Sequence, residues 1–299
     1  LYPVSQPNLH TARMDHLIFR WADGETAEWM LEEEITSATA SDAWVLSSPV
    51  RYPADGTEMT TFLGQIGNLR LGSYVGEATE ENLEAFGFTP PSMEMIFHMA
   101  EGMTAVTGDD GAVTTQVLPE ETVHLALGDN KNEYVRYVLY DGAIYVSSEL
   151  TLGVVTGKDP LSTLSRYPVP VGSDTLRRLV VENVLTGKTT EYRIEREETE
   201  DDEGQSVTET RCIEISEGST EEISFDTFEA RYMRAVLCTV SGTLPEDAEI
   251  GEAEIRYLFE TISGKTHTLV LYAFDAMHQA VGLDNYPVIF YLIRGGLGI

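Results

Sequence analysis

Two distant stretches of the chain share one pattern, and that repetition constrains the fold more than any other feature. The first is "HLIFRWADGETAEWMLEE", from His16 to Glu33; the second is "RLVVENVLTGKTTEYRIER", from Arg178 to Arg196. Leu17 aligns with Leu179 and Phe19 with Val181. Beyond the turn, Gly24, Thr26, Glu28, Trp29 and Leu31 align with Gly187, Thr189, Glu191, Tyr192 and Ile194. Each stretch alternates apolar and polar residues, pauses at Gly and alternates again, which is the pattern of a β-hairpin. Repetition at this scale predicts two similar modules, not a solenoid of many short units.

The residues after each hairpin extend the parallel. A third strand comes next, "AWVLSS" and "TRCIEIS", and then a helix, "ADGTEMTTFLGQIGNL" and "SFDTFEARYMRAVLCTV". Asp55 with Glu58, and Asp226 with Glu229, have capping-box spacing and mark the helix starts. Phe62, Ile66 and Leu69, and likewise Met233, Leu237 and Val240, recur near helical spacing and predict a core-facing stripe in each helix. Four further strands complete each half: "SMEMIFHM", "ETVHLALG", "EYVRYVLY" and "AIYVSS" in the first, "EAEIRYLFETI", "THTLVLYAF", "HQAVGL" and "PVIFYLI" in the second.

The expected fold class is therefore α+β: two tandem similar modules, each a mostly antiparallel sheet with one main helix inserted, in the order β-β-β-α-β-β-β-β. A length of 299 residues suits two modules of roughly 150 each. The Pro-, Gly- and Ser-rich stretch "GKDPLSTLSRYPVPVGSD" predicts a linker over residues 156–172, with the boundary near Gly172. The first module then covers residues 1–172 and the second 173–299. "GDNKNEYVRYVLYDGAIYVSS" is the closing hairpin of the first module, its register set by the Asp141-Gly142 turn. Trp29 and Trp44 occupy strand positions that predict burial.

Charge narrows the function. The chain has 19 Lys+Arg against 50 Asp+Glu, a formal net charge of −31. Such a field repels phosphate backbones and anionic lipid surfaces, which excludes nucleic acid as a partner. No apolar run approaches the ~18 residues of a spanning helix. The chain begins at Leu1 and not at Met, so a fragment and a processed form both stand, and whether a signal or anchor precedes it is left open.

Chemistry-bearing patterns are missing. Gly187-Lys188-Thr189 and Gly264-Lys265-Thr266 resemble the end of a phosphate loop, but the earlier Gly of that motif is replaced by Glu182 and Phe259. The triplets are expected to be turns. There is no G-x-S-x-G and no H-E-x-x-H. None of the six histidines (His10, His16, His98, His124, His267 and His278) pairs at i, i+2 or i, i+4. His98 and His124 lie in neighbouring predicted strands, where ordinary strand histidines are the expected reading over a metal site. Carboxylates are so abundant that a pair of them in any cleft carries little weight for acid–base catalysis.

Cys212 and Cys238 fit no C-x-x-C; a disulfide between them and two free thiols both stand. The acidic run "EREETEDDEG", Glu195 to Gly204, predicts a solvated loop without the Gly-turned pattern of a calcium loop. "GDDGAV", Gly108 to Val113, predicts a mobile loop. No catalytic, cofactor-binding or metal residue is assigned, and no binding residue is identified.

One order of motifs does point to a family. Trp44 is followed by Pro49 and by Pro53-Ala54-Asp55. Phe86-Gly87-Phe88-Thr89-Pro90-Pro91 comes after "EENLEAF", and "VHLALGD" precedes Tyr134-Val135-Arg136 and Ile144-Tyr145-Val146. From about Asp42 to Val155 this resembles the bacterial family catalogued as domain of unknown function 4340, with its W…P…PAD, YGL-x-x-P and lGd…Yvr…vyvv segments. Phe86 stands for the usual Tyr and Phe88 for the usual Leu. The resemblance implies an extracytoplasmic body, held to the membrane by an N-terminal anchor that this chain lacks. It implies ABC-type transporter components, of the gliding-motility kind, as partners. It brings no enzyme activity, cofactor or catalytic residue.

The same positions have plain structural jobs: Pro53 and Asp55 start a helix, Gly87 caps one, Pro90 stops it, and Gly128 ends a strand. The expected role is a non-enzymatic scaffold or binding module of the bacterial cell envelope, accessory to a transporter. The alternative is a hydrolase with its site in a groove between the modules, which rests only on how often such grooves hold sites.

Overall fold

The structure is a computed structural model that describes residues 6–32, 44–107, 113–200, 206–245 and 247–298. The chain divides into two compact units between Leu164 and Ser165, inside the segment expected to link the modules.

The first unit runs β1 (Met14–Trp21), β2 (Thr26–Leu31), β3 (Trp44–Ser48), β4 (Tyr52–Pro53), α1 (Gly56–Gly67), β5 (Tyr74–Glu77), α2 (Glu80–Ala85), β6 (Met93–Met99), β7 (Gly102–Thr107), β8 (Val113–Leu118), β9 (Glu121–Asn132), β10 (Val135–Tyr140), β11 (Ala143–Ser148) and α3 (Glu149–Thr156). Nine of its strands form one antiparallel sheet in the order β4-β3-β2-β1-β6-β9-β10-β11-β5, and β7 and β8 pair as a separate hairpin. Alternation along β1, β2 and β6 sends Leu17, Phe19, Trp29 and Phe97 to one face. There they meet Phe62 of α1. The Phe19 ring lies 5.4 Å from Trp29, 5.8 Å from Phe62 and 6.0 Å from Phe97. Trp29 and Trp44 are both buried, and Trp29 Nε1–H donates to Thr163 Oγ1 at 2.9 Å. Asp55 caps α1 as expected, accepting from the amides of Thr57 and Glu58.

The second unit runs β12 (Leu176–Asn183), β13 (Lys188–Glu200), β14 (Ser206–Ser216), β15 (Ser219–Ser224), α4 (Phe225–Val236), β16 (Gly242–Thr243), β17 (Ala253–Thr261), β18 (Thr266–Ala273), β19 (His278–Leu283) and β20 (Phe290–Ile293). Its antiparallel sheet has the order β15-β14-β13-β12-β17-β18-β19-β20-β16. In each sheet one edge strand immediately precedes the helix and the other edge strand comes after it. Mostly antiparallel sheets with few helices make the fold α+β. Among the described residues no helix is long and apolar enough to cross a membrane.

The structure corrects several expectations. Among the described residues four strands, not three, precede α1 and α4 in their units, and a further short strand follows each. The extra strands β4, β5, β15 and β16 form the sheet edges; β4, β5 and β16 have two to four residues, too few for alternation to register, and β15, "STEEIS", is almost wholly polar and exposed. The α4 cap is Ser224, whose Oγ accepts from Thr227 N, and Asp226 sits inside the first turn. The buried face is Phe228, Tyr232, Ala235 and Val236; the helix ends at Val236, so Leu237, 63% exposed, and Val240 of the expected stripe lie past it. The aromatic pair sets the buried face. Phe228 stacks on Tyr232 at 5.4 Å and lies tilted against Tyr192 at 5.2 Å, and Tyr232 Oη–H donates to Val171 O at 2.7 Å.

Of the acidic run, residues 195–200 are strand, not loop, paired along β13 with β14; the rest, with Asp201 and Asp202, lies outside the described residues. Residues 108–112 of the expected mobile loop also lie outside them, and Val113 begins β8. The 156–172 segment is packed: Thr163, Leu164, Val169 and Val171 are buried.

Candidate functional site

Two of the motif segments of the first half, the stretch from Phe86 and the run from Gly128 to Tyr137, meet at one place. α2 ends at Phe86, and Phe88 N–H donates to Leu83 O while Gly87 N–H donates to Glu84 O, with Gly87 at φ +76°. This is a Schellman stop, and it requires a residue that tolerates positive φ. The stopped chain docks on β9: Asp129 N–H donates to Phe86 O at 2.8 Å. Gly128 allows that approach, since a Cβ there would stand 2.2 Å from Phe86 O; one on Gly87 would strike the Asp129 carboxyl at 2.4 Å. The Phe86 ring packs 4.5 Å from Tyr137 of β10. Arg136 ties the ends together. It donates to Asn130 Oδ1 (2.6 Å) and Ser92 Oγ (3.3 Å) and pairs with Glu149 at 3.0 Å, while Ser92 Oγ donates to Leu127 O.

A second polar cluster lies on the sheet face opposite Phe19. A bulge between Met14 and His16 in β1 slips the register against β6, so that His16 stands across from His98. His98 Nδ1 bonds Asp15, and its Nε2 bonds Glu120 at 2.9 Å. Hydrogen bonds to Asp15 and then Glu120 raise the His98 imidazole above its ordinary value, against a smaller opposing effect of burial. His16 Nε2 bonds Glu28 of β2 at 2.6 Å.

A comparison with known families decides what these motifs are. The family described as Domain of unknown function (DUF4340) matches residues 44–229, which is 186 of 299 residues. The chain belongs to the DUF4340 family. No curated protein and no solved structure matches it. The DUF4340 match runs from β3 past the division at Leu164 into α4, well beyond the stretch to Val155 that the motifs alone covered.

Within the DUF4340 chain the other singled-out residues fall into structural roles. His98 and His124 share a face, offset by two residues through the Ile96↔His124 and His98↔Thr122 pairs, but both His98 nitrogens are already engaged. Among the described residues no group of His, Cys, Asp and Glu could hold a metal ion. Gly187 and Gly264 have φ +70° and +83° and make turns, and Lys188 pairs with Glu217 at 2.6 Å. Cys212 and Cys238 are free thiols, and burial pushes Cys212 up to about 11, which suppresses its thiolate.

Sequence reasoning missed one pair. His267 is buried, with Nδ1 2.9 Å from Asp284 Oδ2, and Asp284 Oδ1 accepts from Thr268 N at 2.6 Å. This orients the imidazole as a base is oriented in hydrolases, but its Nε2 is enclosed and has no partner. Through Asp284, which also accepts from Thr268 N, the pair ties β18 to the end of β19. The Asp141-Gly142 turn borders an open depression of about 480 Å³, lined by Tyr74, Glu77, Thr79 and Tyr145 and holding no His or Cys.

Proposed function

We propose that this DUF4340 chain is a non-enzymatic binding or scaffold module of the bacterial cell envelope. In this reading it is extracytoplasmic, accessory to an ABC-type transporter, and built from two tandem copies of one module. One observation carries the non-enzymatic reading: the motif residues Phe86, Gly87 and Gly128 spend their geometry on close backbone approach around Asp129, and Arg136 spends its donors on Asn130, Ser92 and Glu149. A family signature made of packing contacts supports a shared architecture more than a shared reaction. The common strand order of the two sheets supports the tandem copies.

The test is cell fractionation with affinity purification of the tagged native protein after cross-linking. The reading expects the membrane fraction, protease accessibility from the extracytoplasmic side, and recovery of transporter subunits. Recovery from the cytosol, or a saturable hydrolase activity of the purified chain, would overturn it.

A further inference from the structure

Among the described strands of the first unit, β7 and β8 alone lie outside its sheet and have no counterpart in the strand order of the second. Their six cross-strand pairs run from Gly102↔Leu118 to Thr107↔Val113. None of the twelve strand residues is charged, in a chain where 23% are, and seven are Thr or Val. A ribbon of two strands turns half of its backbone N–H and C=O groups outward on each side. Three of the four edge strands of the two large sheets carry protection that this ribbon lacks: β4 contains Pro53, β5 ends in Glu77 and β15 carries Glu221 and Glu222. Met103 and Val117 face each other across the ribbon and are 76% and 57% exposed.

The root of the hairpin is fixed. Arg13 Nε–H donates to Ala100 O at 2.8 Å and its Nη2 to Pro119 O, and Glu120 accepts from His98. The ribbon is thereby presented from a rigid base.

We infer that the outer edge of β8 is a docking site for an extended segment of a partner protein, one with an uncharged centre and Lys or Arg at its ends. β8 is preferred over β7 because Thr115, Gln116 and Val117 are consecutively exposed, whereas Gly102 and Thr104 of β7 are half-covered. The bound strand would add main-chain hydrogen bonds to β8, the mode of β-augmentation. Charge selects the occupant. The body carries −31, and at the root Glu101, Glu120 and Glu121 outnumber Arg13 and His98, so basic ends are attracted while the neutral ribbon costs an uncharged centre nothing in repulsion. A second copy of this chain brings another −31 and is repelled. The inference deepens the binding-module reading and rests on it for the existence of a partner.

The experiment titrates the ¹⁵N-labelled full chain with a peptide of alternating Thr and Val ended by Lys, and with the same peptide ended by Glu. The Lys-ended peptide should shift the β8 amide signals saturably. The Glu-ended one should bind at least about tenfold more weakly at low salt, the gap closing as salt rises. Thr115→Lys and Gln116→Lys, both at exposed positions, should each weaken the Lys-ended peptide while the rest of the spectrum is unchanged. Absence of a saturable shift in β8, or equal response to both peptides, overturns the inference. So does dimerisation of the free chain, by sedimentation, that Thr115→Lys abolishes, since the occupant would then be a second copy. None of these outcomes depends on where the protein resides or on transporter recovery, so the two readings fail separately.

Discussion

The bulge in β1 has a counterpart in β12, and the two hold opposite charge arrangements. In the first unit the register slips between Met14↔Met99 and His16↔His98; in the second it slips between Leu176↔Thr261 and Arg178↔Glu260. The inserted residues are Asp15 and Arg177. Asp15 bonds the imidazole of His98 across the strand, whereas Arg177 pairs at 3.4 Å with Glu260 across the strand. One position further on, His16 bonds Glu28 and Arg178 bonds Glu191, again in matching places. The bulge thus fixes where two strands exchange an ion pair and leaves its polarity free. What differs is titration: a guanidinium keeps its charge at every physiological pH, and an imidazole does not.

The largest test of this correspondence lies in the core beneath the bulge. Trp29→Ala should cost about 3–5 kcal/mol, with the Thr163 hydroxyl losing its donor as well, and Tyr192→Ala at the aligned place about 3 kcal/mol. Denaturant unfolding measures both. A loss under about 1 kcal/mol at Tyr192 would break the alignment.

Next is the Arg/Glu version. Arg178, with lesser help from Arg193, holds the Glu191 carboxyl at about 2 against the opposing effect of burial. A carboxylate depressed in the folded state contributes stability above its unfolded value, near 4.5, and loses it as pH falls towards about 2. Glu191→Gln should therefore cost about 1–2 kcal/mol at pH 7, discounted for the partly exposed Arg178, and the two proteins should converge in acid. A deficit that persists unchanged in acid would show the loss to be steric.

The helix caps come third. Ser224→Ala should cost about 1 kcal/mol, as Asp55→Ala should at α1, while Asp226→Ala should cost a few tenths through the helix dipole alone. The reverse order at α4 would restore Asp226 as the cap. Smallest is His98→Gln. A His raised in the folded state contributes stability that is complete below its unfolded value of 6.5 and is lost as pH rises through the higher folded value. The variant should be weaker than the parent by about 1 kcal/mol or less near pH 5.5 and match it near pH 9, because the bridge is partly exposed.

Much of the fold was legible because it is written locally. Alternating residues around Gly24, Gly142, Gly187 and Gly264, all at positive φ, gave the hairpins, and Asp55 gave the first helix start. What stayed hidden depends on distance or on length. Three of the edge strands are too short to alternate, and β15 is almost wholly polar. α3, "ELTLGVVT", is rich in β-branched residues, whose strand preference masks a helix. The stripe of α4 was misplaced because the helix stops at Val236, before Leu237 and Val240. The bulge leaves no local mark, since Asp15 and His98 are 83 residues apart. The meeting of Gly87 with Asp129 likewise emerges only once α2 is docked on β9; the glycines were visible as turn residues, but not as points of close approach.

The correspondence of the two bulges is tested most directly by exchanging their charges. In a Glu120→Gln background, which removes the carboxylate that would repel a new acid, Asp15→Arg and His98→Glu are made singly and together. Unfolding free energies across pH 5.5 to 9 then close a double-mutant cycle. If the first bulge accepts the polarity of the second, each single variant is destabilised and the double variant recovers at least about 0.5 kcal/mol beyond additivity, with the dependence on pH near neutrality gone. Strict additivity, or a double variant that still titrates near neutral pH, would contradict the claim that the two bulges are the same site with the charges reversed.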